Sequence, residues 1–324
     1  MTVPGVVVGV PTFRRPAELA ALLPLLLAQA ADLADLDDRR VDVLVVDNDP
    51  TGSARGVVEE LGRTGYEDRL HYAHEPEPGI AAVRNRILDV AATTLGAALV
   101  AMIDDDERPR PGWLAALVRT QEETGAVLVA GRVVPEFAGP LDPWVAAGRF
   151  HTRRDLSTGT PLSVAAAGNL LVDARRLHAL GQRFDARIGL AGGEDTLFTR
   201  QLHARGELMV WCAGSVAVDR VLPERMTRRW VLARAASHGD AWVRSSLRLA
   251  GSPPARWVVR VRAVVGGTLR ALAGLARAAL GLLRRRPVDQ ARGLRLAMRG
   301  VGMVRGAWGL HHVEYAREAG GGPA

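Results

Sequence analysis

The chain has one cysteine, Cys212, and no lysine among its 324 residues. A single cysteine excludes an internal disulfide and fits a reducing compartment. With only eight scattered histidines beside it, no structural zinc spacing appears. Aromatic residues make up 5% of the sequence, too few to interleave with the basic residues as a stacking platform for single-stranded nucleic acid. The N-terminal stretch MTVPGVVVGVPTF lacks a basic flank and reads as a strand, not a secretory leader. The longest early apolar run, LAALLPLLLAQAA, is shorter than the roughly 20 residues that cross a bilayer. Export is therefore not expected. No Gly-x-Gly-x-x-Gly turn follows the first strand, where VVVGVPTFRR stands instead, so a dinucleotide-dependent oxidoreductase is set aside.

What is present is a chain that is 48% hydrophobic, enough for a substantial core, with its charge unevenly placed. From Arg220 onward there are 20 arginines against five acids, an excess of 15 positive charges. The total is +7, so the first 219 residues carry a net of eight negative charges. An acidic front and a basic tail suggest a catalytic module followed by an anion-seeking segment. The division expected is a catalytic domain over residues 1–222 and a basic, largely helical region over residues 223–324.

The front half alternates buried-strand stretches (GVVVGVPTF, VDVLVVDND, LHYAHE, ALVAMIDDDE, AVLVAGRVVPEF) with helical ones, in which Pro24 marks an irregularity. This order predicts an α/β fold with a mostly parallel sheet. Ligands bind such sheets beyond the carboxyl ends of the strands. Three strands end there in polar clusters: PTFRR, DNDP and DDDE. Residues 137–160 read as a long loop, in which Trp144 either stacks on a sugar or anchors the loop. Trp113 and Cys212 read as packing residues.

Asp104, Asp105, Asp106 and Glu107 are four adjacent acids. Helix capping accounts for one or two of them. Clustered hard oxygen ligands suit Mg2+ or Mn2+. In an extended segment Asp104 and Asp106 would share one side and Asp105 the other. A second acidic focus, GGEDT, places Glu194 and Asp195 either at a helix start as cap and first-turn acid or beside a substrate hydroxyl as general base.

Taken in order, VVVGVPTFRRP, VLVVDND, EPGIAAVRNRIL, MIDDDERPRPGWL, AAGNLLVDA and LAGGEDTLFTRQLHARG resemble the family 2 glycosyltransferases, and most of all those that build bacterial exopolysaccharides and cell-surface glycans. The resemblance covers roughly residues 3–235 and implies a GT-A fold and inverting transfer from a nucleotide-diphosphate sugar, by default a UDP-sugar, to a hydroxyl of a glycan or lipid-linked acceptor. It further implies that Pro11, Thr12, Phe13 and Arg14 cradle the base, that Asp47 contacts it, and that Arg84 and Asn85 lie near the diphosphate. In this segment Val83 replaces the family's alanine. Asp104 is implied at the ribose or the metal water shell, Asp106 as direct ligand of Mn2+ or Mg2+, and Gly168 and Asn169 at the sugar pocket. Asp195, with Glu194 beside it, is implied as catalytic base. Where relatives often have a histidine ligand, this chain has Asp219. The alternative weighed is a non-catalytic nucleotide-sugar-binding subunit of a membrane glycan-assembly complex.

In the tail, Arg270, Arg277 and Arg284 recur every seven residues in an Ala/Leu/Val background and so share a helix face. Charges of this kind favour a helix lying in an anionic membrane interface over one that spans it. The expectation is a cytoplasmic protein, peripheral on the inner face of the cell membrane, that does not bind nucleic acid.

Overall fold

A computed structural model of the chain describes residues 5–309. The Gly-rich end EAGGGPA read from the sequence lies outside the described residues, as does the last part of the expected 223–324 region. In chain order the elements are β1 (Val6–Thr12), α1 (Pro16–Asp37), β2 (Val41–Asp47), α2 (Arg55–Gly62), β3 (Leu70–His74), α3 (Ile80–Thr93), β4 (Leu99–Ile103), β5 (Glu107–Pro109), α4 (Trp113–Thr124), β6 (Leu128–Phe137) and α5 (Pro143–Gly148). There follow β7 (Asn169–Asp173), α6 (Ala174–Leu180), α7 (Glu194–Ala204), β8 (Met209–Val221), α8 (Arg228–Leu249), α9 (Pro253–Leu283) and α10 (Pro287–Ala307).

The chain divides into two compact units. The first comprises Met1–Ala138, Thr152–Asp185 and Phe198–Val221. It holds an eight-stranded sheet of order β3-β2-β1-β4-β7-β6-β8-β5. β1, β2, β3 and β4 run parallel; the unbroken apolar runs of β1 and β4 suit strands buried on both faces, whereas the edge strand β3, LHYAH, is only partly buried. β7 reverses direction against β4 and β6, so the sheet is mixed. Gly9 is the contact point of β1 with α3. A Cβ there would overlap the Ile87 side chain, so glycine lets the helix settle directly on the strand.

α1 runs without a break through Pro24, which lies on its exposed side. Its buried face, Leu19, Leu22, Leu23, Leu26 and Leu27, has the three-four spacing of an amphipathic helix. GELMVWCAGSVAVDR becomes one long strand, β8, paired parallel with β6 in two stretches separated by a register shift between Gly131 and Arg132. The acidic run does not end a strand and stop. After a turn it continues as β5, antiparallel on β8 with Glu107 opposite Asp219.

At the other end of this sheet Asp42 is buried, and its carboxylate accepts from Arg40 Nε at 2.7 Å and contacts His71 Nε2 at 2.9 Å. Burial opposes its ionisation, but the His71 and Arg40 hydrogen bonds prevail and hold its pKa below the usual carboxylate value. A depressed carboxylate pKa stabilises the fold above the unfolded-state value, and this is lost as pH falls through the native one. Asp42→Asn should therefore lower stability at pH 7 by about 1–3 kcal/mol, as for hydrogen bonds to a charged group. In thermal melts at stepped pH the difference from wild type should shrink as the medium is taken below pH 4, about where an unfolded aspartate protonates.

The second unit comprises Gly139–His151, Ala186–Leu197 and Leu222–Ala324. The expected boundary at 222/223 is thus only part of the division, since two earlier segments belong with the helical tail. The first does so because the presumed long loop contains α5, whose Trp144 and Val145 are buried with Val231 of α8 and Ala291 of α10. Trp144 donates from Nε1 to Gln290 at 3.0 Å, so it is an anchor. In the second, Gly193 meets Ala241 of α8, and Arg244 donates to the Gly192 carbonyl at 2.9 Å.

α9 and α10 form a helical hairpin joined at backbone-contact distance. Gly267, Gly274 and Gly281 recur every seven residues on α9, the first two against Gly300 and Gly293 of α10 and the third against Asp289 and Gln290. A Cβ on Gly293 would lie 2.6 Å from the Gly274 carbonyl oxygen. Gly300→Ala, which drives a methyl into the Gly267 carbonyl, should destabilise this unit by about 1–3 kcal/mol through overpacking. A fall in the melting midpoint would register it; an unchanged midpoint would show that the seam is looser than described.

Candidate active site

Thr12–Arg15, Asp47–Asp49 and Asp104–Glu107 follow the carboxyl ends of three adjacent parallel strands, β1, β2 and β4. The acidic run there is a tight turn, in which the Glu107 N–H donates to the Asp104 carbonyl at 3.1 Å. The turn removes the alternation expected of an extended segment. Asp105 and Asp106 both accept from the same Arg15 nitrogen, each at 2.9 Å, whereas Asp104 accepts from Arg84 at 3.2 Å.

The four acids differ in environment. Asp105 is buried and also accepts from the Thr12 hydroxyl at 2.9 Å. Burial, with Asp106 adding to it, pushes its carboxyl up to about 6 against the pull of Arg15. Arg15 is itself held firmly in its charged form by this pair, despite the opposing effect of burial. Glu107 is buried, and its pKa is raised well above the usual value by desolvation and then by Asp104, Asp219 and Asp106. One of its oxygens has no hydrogen-bond partner. The side chains of Asp104 and Asp106 remain 38% and 21% exposed, so these two are the carboxylates a ligand can reach.

Gly168 borders one side of the cluster and leaves it open. A Cβ there would stand 2.8 Å from Glu107 Oε1 and 3.0 Å from Asp104 Oδ2. Asp219, opposite Glu107, accepts from Arg153 at 2.5 Å. Among the described residues no three His, Cys, Asp or Glu side chains form a ready cage for a metal ion. Mg2+ in particular rarely uses such a cage and is held by one or two carboxylates plus phosphate oxygens. The hard donor set, the unpartnered Glu107 oxygen and five carboxyl groups facing Arg15, Arg84 and Arg153 fit an ion of that kind.

The remaining expected residues divide. Pro11 is buried in β1. Phe13 lies under the Arg14 guanidinium at 5.2 Å, and exposed Arg14, in the left-handed region at φ 54°, reaches Asp49 at 3.3 Å. At three further expected positions the side chain is engaged by the protein itself. Asp47 is fully buried and accepts from the Asp49 and Ala54 N–H groups, so it shapes the loop that follows β2. Asn85 spends both ends of its amide on the Phe184 backbone. Asn169 accepts from Trp113 Nε1 and Ser215 Oγ and donates to the Arg132 and Ser215 carbonyls, locking β6, β7 and β8 together beneath α4. Each was singled out for its motif, and an amide or carboxylate that fixes a loop has the same sequence signature as one that binds a ligand.

Arg15 and Arg153 were not anticipated. The first had a signal, the second arginine of FRR two residues beyond a base-cradle motif; the second, in an irregular segment, had none. Glu194 and Asp195 belong to the second unit, at the start of α7. Glu194 is buried, and Asp195 Oδ1 accepts from the Thr196 N–H at 2.6 Å. Gly192 and Gly193 before them take left-handed φ values of 71° and 85°.

Residues 7–180 match the family model described as glycosyl transferase family 2. The chain is a family 2 glycosyltransferase. It is 32% identical over 234 residues to the succinoglycan biosynthesis protein ExoM of Rhizobium meliloti (strain 1021), an alignment covering 72% of each chain. Among solved structures it is similar to the mannosyltransferase PcManGT from Pyrobaculum calidifontis in complex with GDP-Man and Mn2+, with a TM-score of 0.59 and 19% identity over 95% of this chain and 90% of that one. It is also similar to GalNAc-T7 with UDP, GalNAc and Mn2+, with a TM-score of 0.52 and 11% identity over 75% of this chain and 47% of that one. These likenesses establish the GT-A-like fold of this glycosyltransferase, with its helical C-terminal region.

Asn169→Ala should destabilise the enzyme by about 2–4 kcal/mol, because it leaves buried partners unsatisfied. If Asn169 only locks strands, the KM for donor in the folded fraction stays within about two-fold of wild type. A large rise in KM at unchanged stability would restore it to the sugar pocket.

Proposed function

We propose that this glycosyltransferase moves a sugar from a nucleotide-diphosphate donor, by default a UDP-sugar, to a hydroxyl of a glycan or lipid-linked acceptor, with inversion at the anomeric carbon. One observation carries the reading: two accessible carboxylates, Asp104 and Asp106, stand beside buried ones at the end of β4, next to the arginines that follow β1 and lie on α3. Similarity to a protein of polysaccharide biosynthesis supports a growing glycan as acceptor. The nucleotide and Mn2+ named with the two similar structures support the donor class and the metal.

In this reading Asp106 and Asp104 hold Mn2+ or Mg2+, with Asp219 the third carboxylate nearby, here engaged by Arg153. An ion held there would supply Lewis acidity toward the charge that grows on the departing diphosphate. Arg84 and Arg15 add fixed positive charge to the same end of the sheet. Pro11, Thr12, Phe13 and Arg14 line the approach of the base, and Gly168 keeps the donor side open where a side chain would press on Asp104. Asp195, with Glu194 beside it, takes the proton from the acceptor hydroxyl as that oxygen attacks the anomeric carbon. The sugar–diphosphate bond breaks in the same displacement, and no enzyme nucleophile is used. The enzyme works in the cytoplasm, peripheral on the inner face of the cell membrane.

Asp106→Ala and Asp195→Asn should both fold with near-wild-type melting. Transfer should fall by about two to four orders of magnitude in Asp195→Asn, the usual worth of a general base. Calorimetry should show metal-dependent donor binding lost in Asp106→Ala and kept in Asp195→Asn. Full transfer by either variant removes that residue from its role. Donor binding without turnover across a broad acceptor panel would instead identify a non-catalytic subunit.

A further inference from the structure

We infer that the outward face of α9 is the membrane-binding surface, a Leu/Val/Trp stripe for the interface of an anionic bilayer; this rests on the peripheral-membrane part of the reading above. At about 1.5 Å per residue the 31-residue helix is some 45 Å long. Gly267, Gly274 and Gly281 occupy its seam with α10. Away from the seam, Val258, Val265, Leu269, Leu272 and Leu283 recur at near-helical steps and are 45–80% exposed, with Trp257 at the same end of the hairpin as exposed Trp308. Exposed apolar side chains repeated along one helix face mark an interaction site more than an ordinary solvated face.

Charge selects the occupant. α9 contains no acidic residue and five arginines, Arg256, Arg260, Arg262, Arg270 and Arg277, and the hairpin turn adds Arg284, Arg285 and Arg286. Apolar and cationic residues along one helix suit acyl chains beneath anionic headgroups, with arginine stems snorkelling to the phosphates.

The seam excludes spanning. α9 passes a length-and-hydropathy test for a membrane helix. Yet it cannot enter a bilayer without α10, to which it is joined glycine to backbone. α10 carries Arg292, Arg295, Arg299 and Arg305. Arg292 and Arg295 donate to the Ala147, Gly148 and Arg149 carbonyls at the end of α5, so burying α10 in lipid would strip that helix end of its partners. The hairpin therefore lies flat, and α9 alone faces the lipid.

The test is co-sedimentation of the full chain with vesicles of phosphatidylglycerol and phosphatidylcholine, against phosphatidylcholine alone. Wild type should bind the anionic vesicles and lose about ten-fold or more in affinity on the neutral ones. Val265→Asp combined with Leu272→Asp should lose about ten-fold or more on the anionic vesicles. Leu272→Trp, which no folding defect can mimic, should bind more tightly. The inference is overturned if wild type does not sediment, if the aspartate pair sediments like wild type, or if size-exclusion shows a dimer that the pair dissociates. Transfer to a soluble acceptor, measured in the same samples, reports on the catalytic reading by itself. Vesicle binding without turnover would count against that reading and leave the lipid surface standing.

Discussion

Three neighbouring aspartates and a glutamate at the end of a buried strand repel one another, and the first unit is organised around answering that repulsion. Arg15 does most of it, by placing one guanidinium nitrogen between Asp105 and Asp106. To do so it must leave β1 at the height at which the acidic turn leaves β4, which the parallel pairing of β1 with β4 secures. Thr12, three residues earlier, holds the other oxygen of Asp105. The base-cradle segment and the acidic segment are thus one structure joined through Asp105, and the buried aspartate serves as a foundation so that Asp104 and Asp106 can stay accessible. A buried carboxyl whose pKa is raised costs stability in its ionised form. The fold accepts that cost at the strand ends, where ligands bind.

This arrangement separates what could be read in the sequence from what could not. The buried parallel strands were legible because a short β-branched apolar run such as VVVGVPT suits a buried strand, and three strands ending in polar clusters marked the candidate site. The internal geometry of DDDE was not legible. Periodicity assumes an extended chain, and one backbone hydrogen bond from Glu107 to the Asp104 carbonyl makes a turn instead. The same limit applies to Asp47, Asn85 and Asn169. All three stand in motifs and at strand or helix positions next to the site, but each is spent on backbone or core partners. Sequence shows that a polar residue is needed there, not which way it faces. Arg153 had no local signal, because its carboxylate partner lies 66 residues away.

The second unit shows a different economy. The glycines of the α9–α10 seam sit where another backbone passes, and their seven-residue spacing on each helix allows the two to touch along a straight seam. Arg270, Arg277 and Arg284 recur at the same spacing along α9 and at its C-cap. The glycines carry the more decisive information, since they fix which face of α9 is inward and hence which is outward. Small residues at the seam leave the bulky apolar ones no place except the surface, so the exposed leucines are a consequence of the lock and not a failure of packing.

That lock also constrains function. A hairpin free to open could insert, retract or swap partners; one with carbonyl oxygens where a Cβ would fall can only move as a body. The arginines of α10 that hold the end of α5 extend the same rigid body to Trp144 and its neighbours. Segment 186–197, which carries Glu194 and Asp195, belongs to this unit and is joined to α8 through Gly193 and Arg244. The acid proposed to act on the acceptor is therefore built into the unit that contains α9, while the carboxylates proposed for the donor are built into the sheet unit. A glycosyltransferase whose acceptor is anchored in a membrane benefits from that allotment. The membrane surface proposed on α9 and the base proposed at Asp195 are then parts of one packed body.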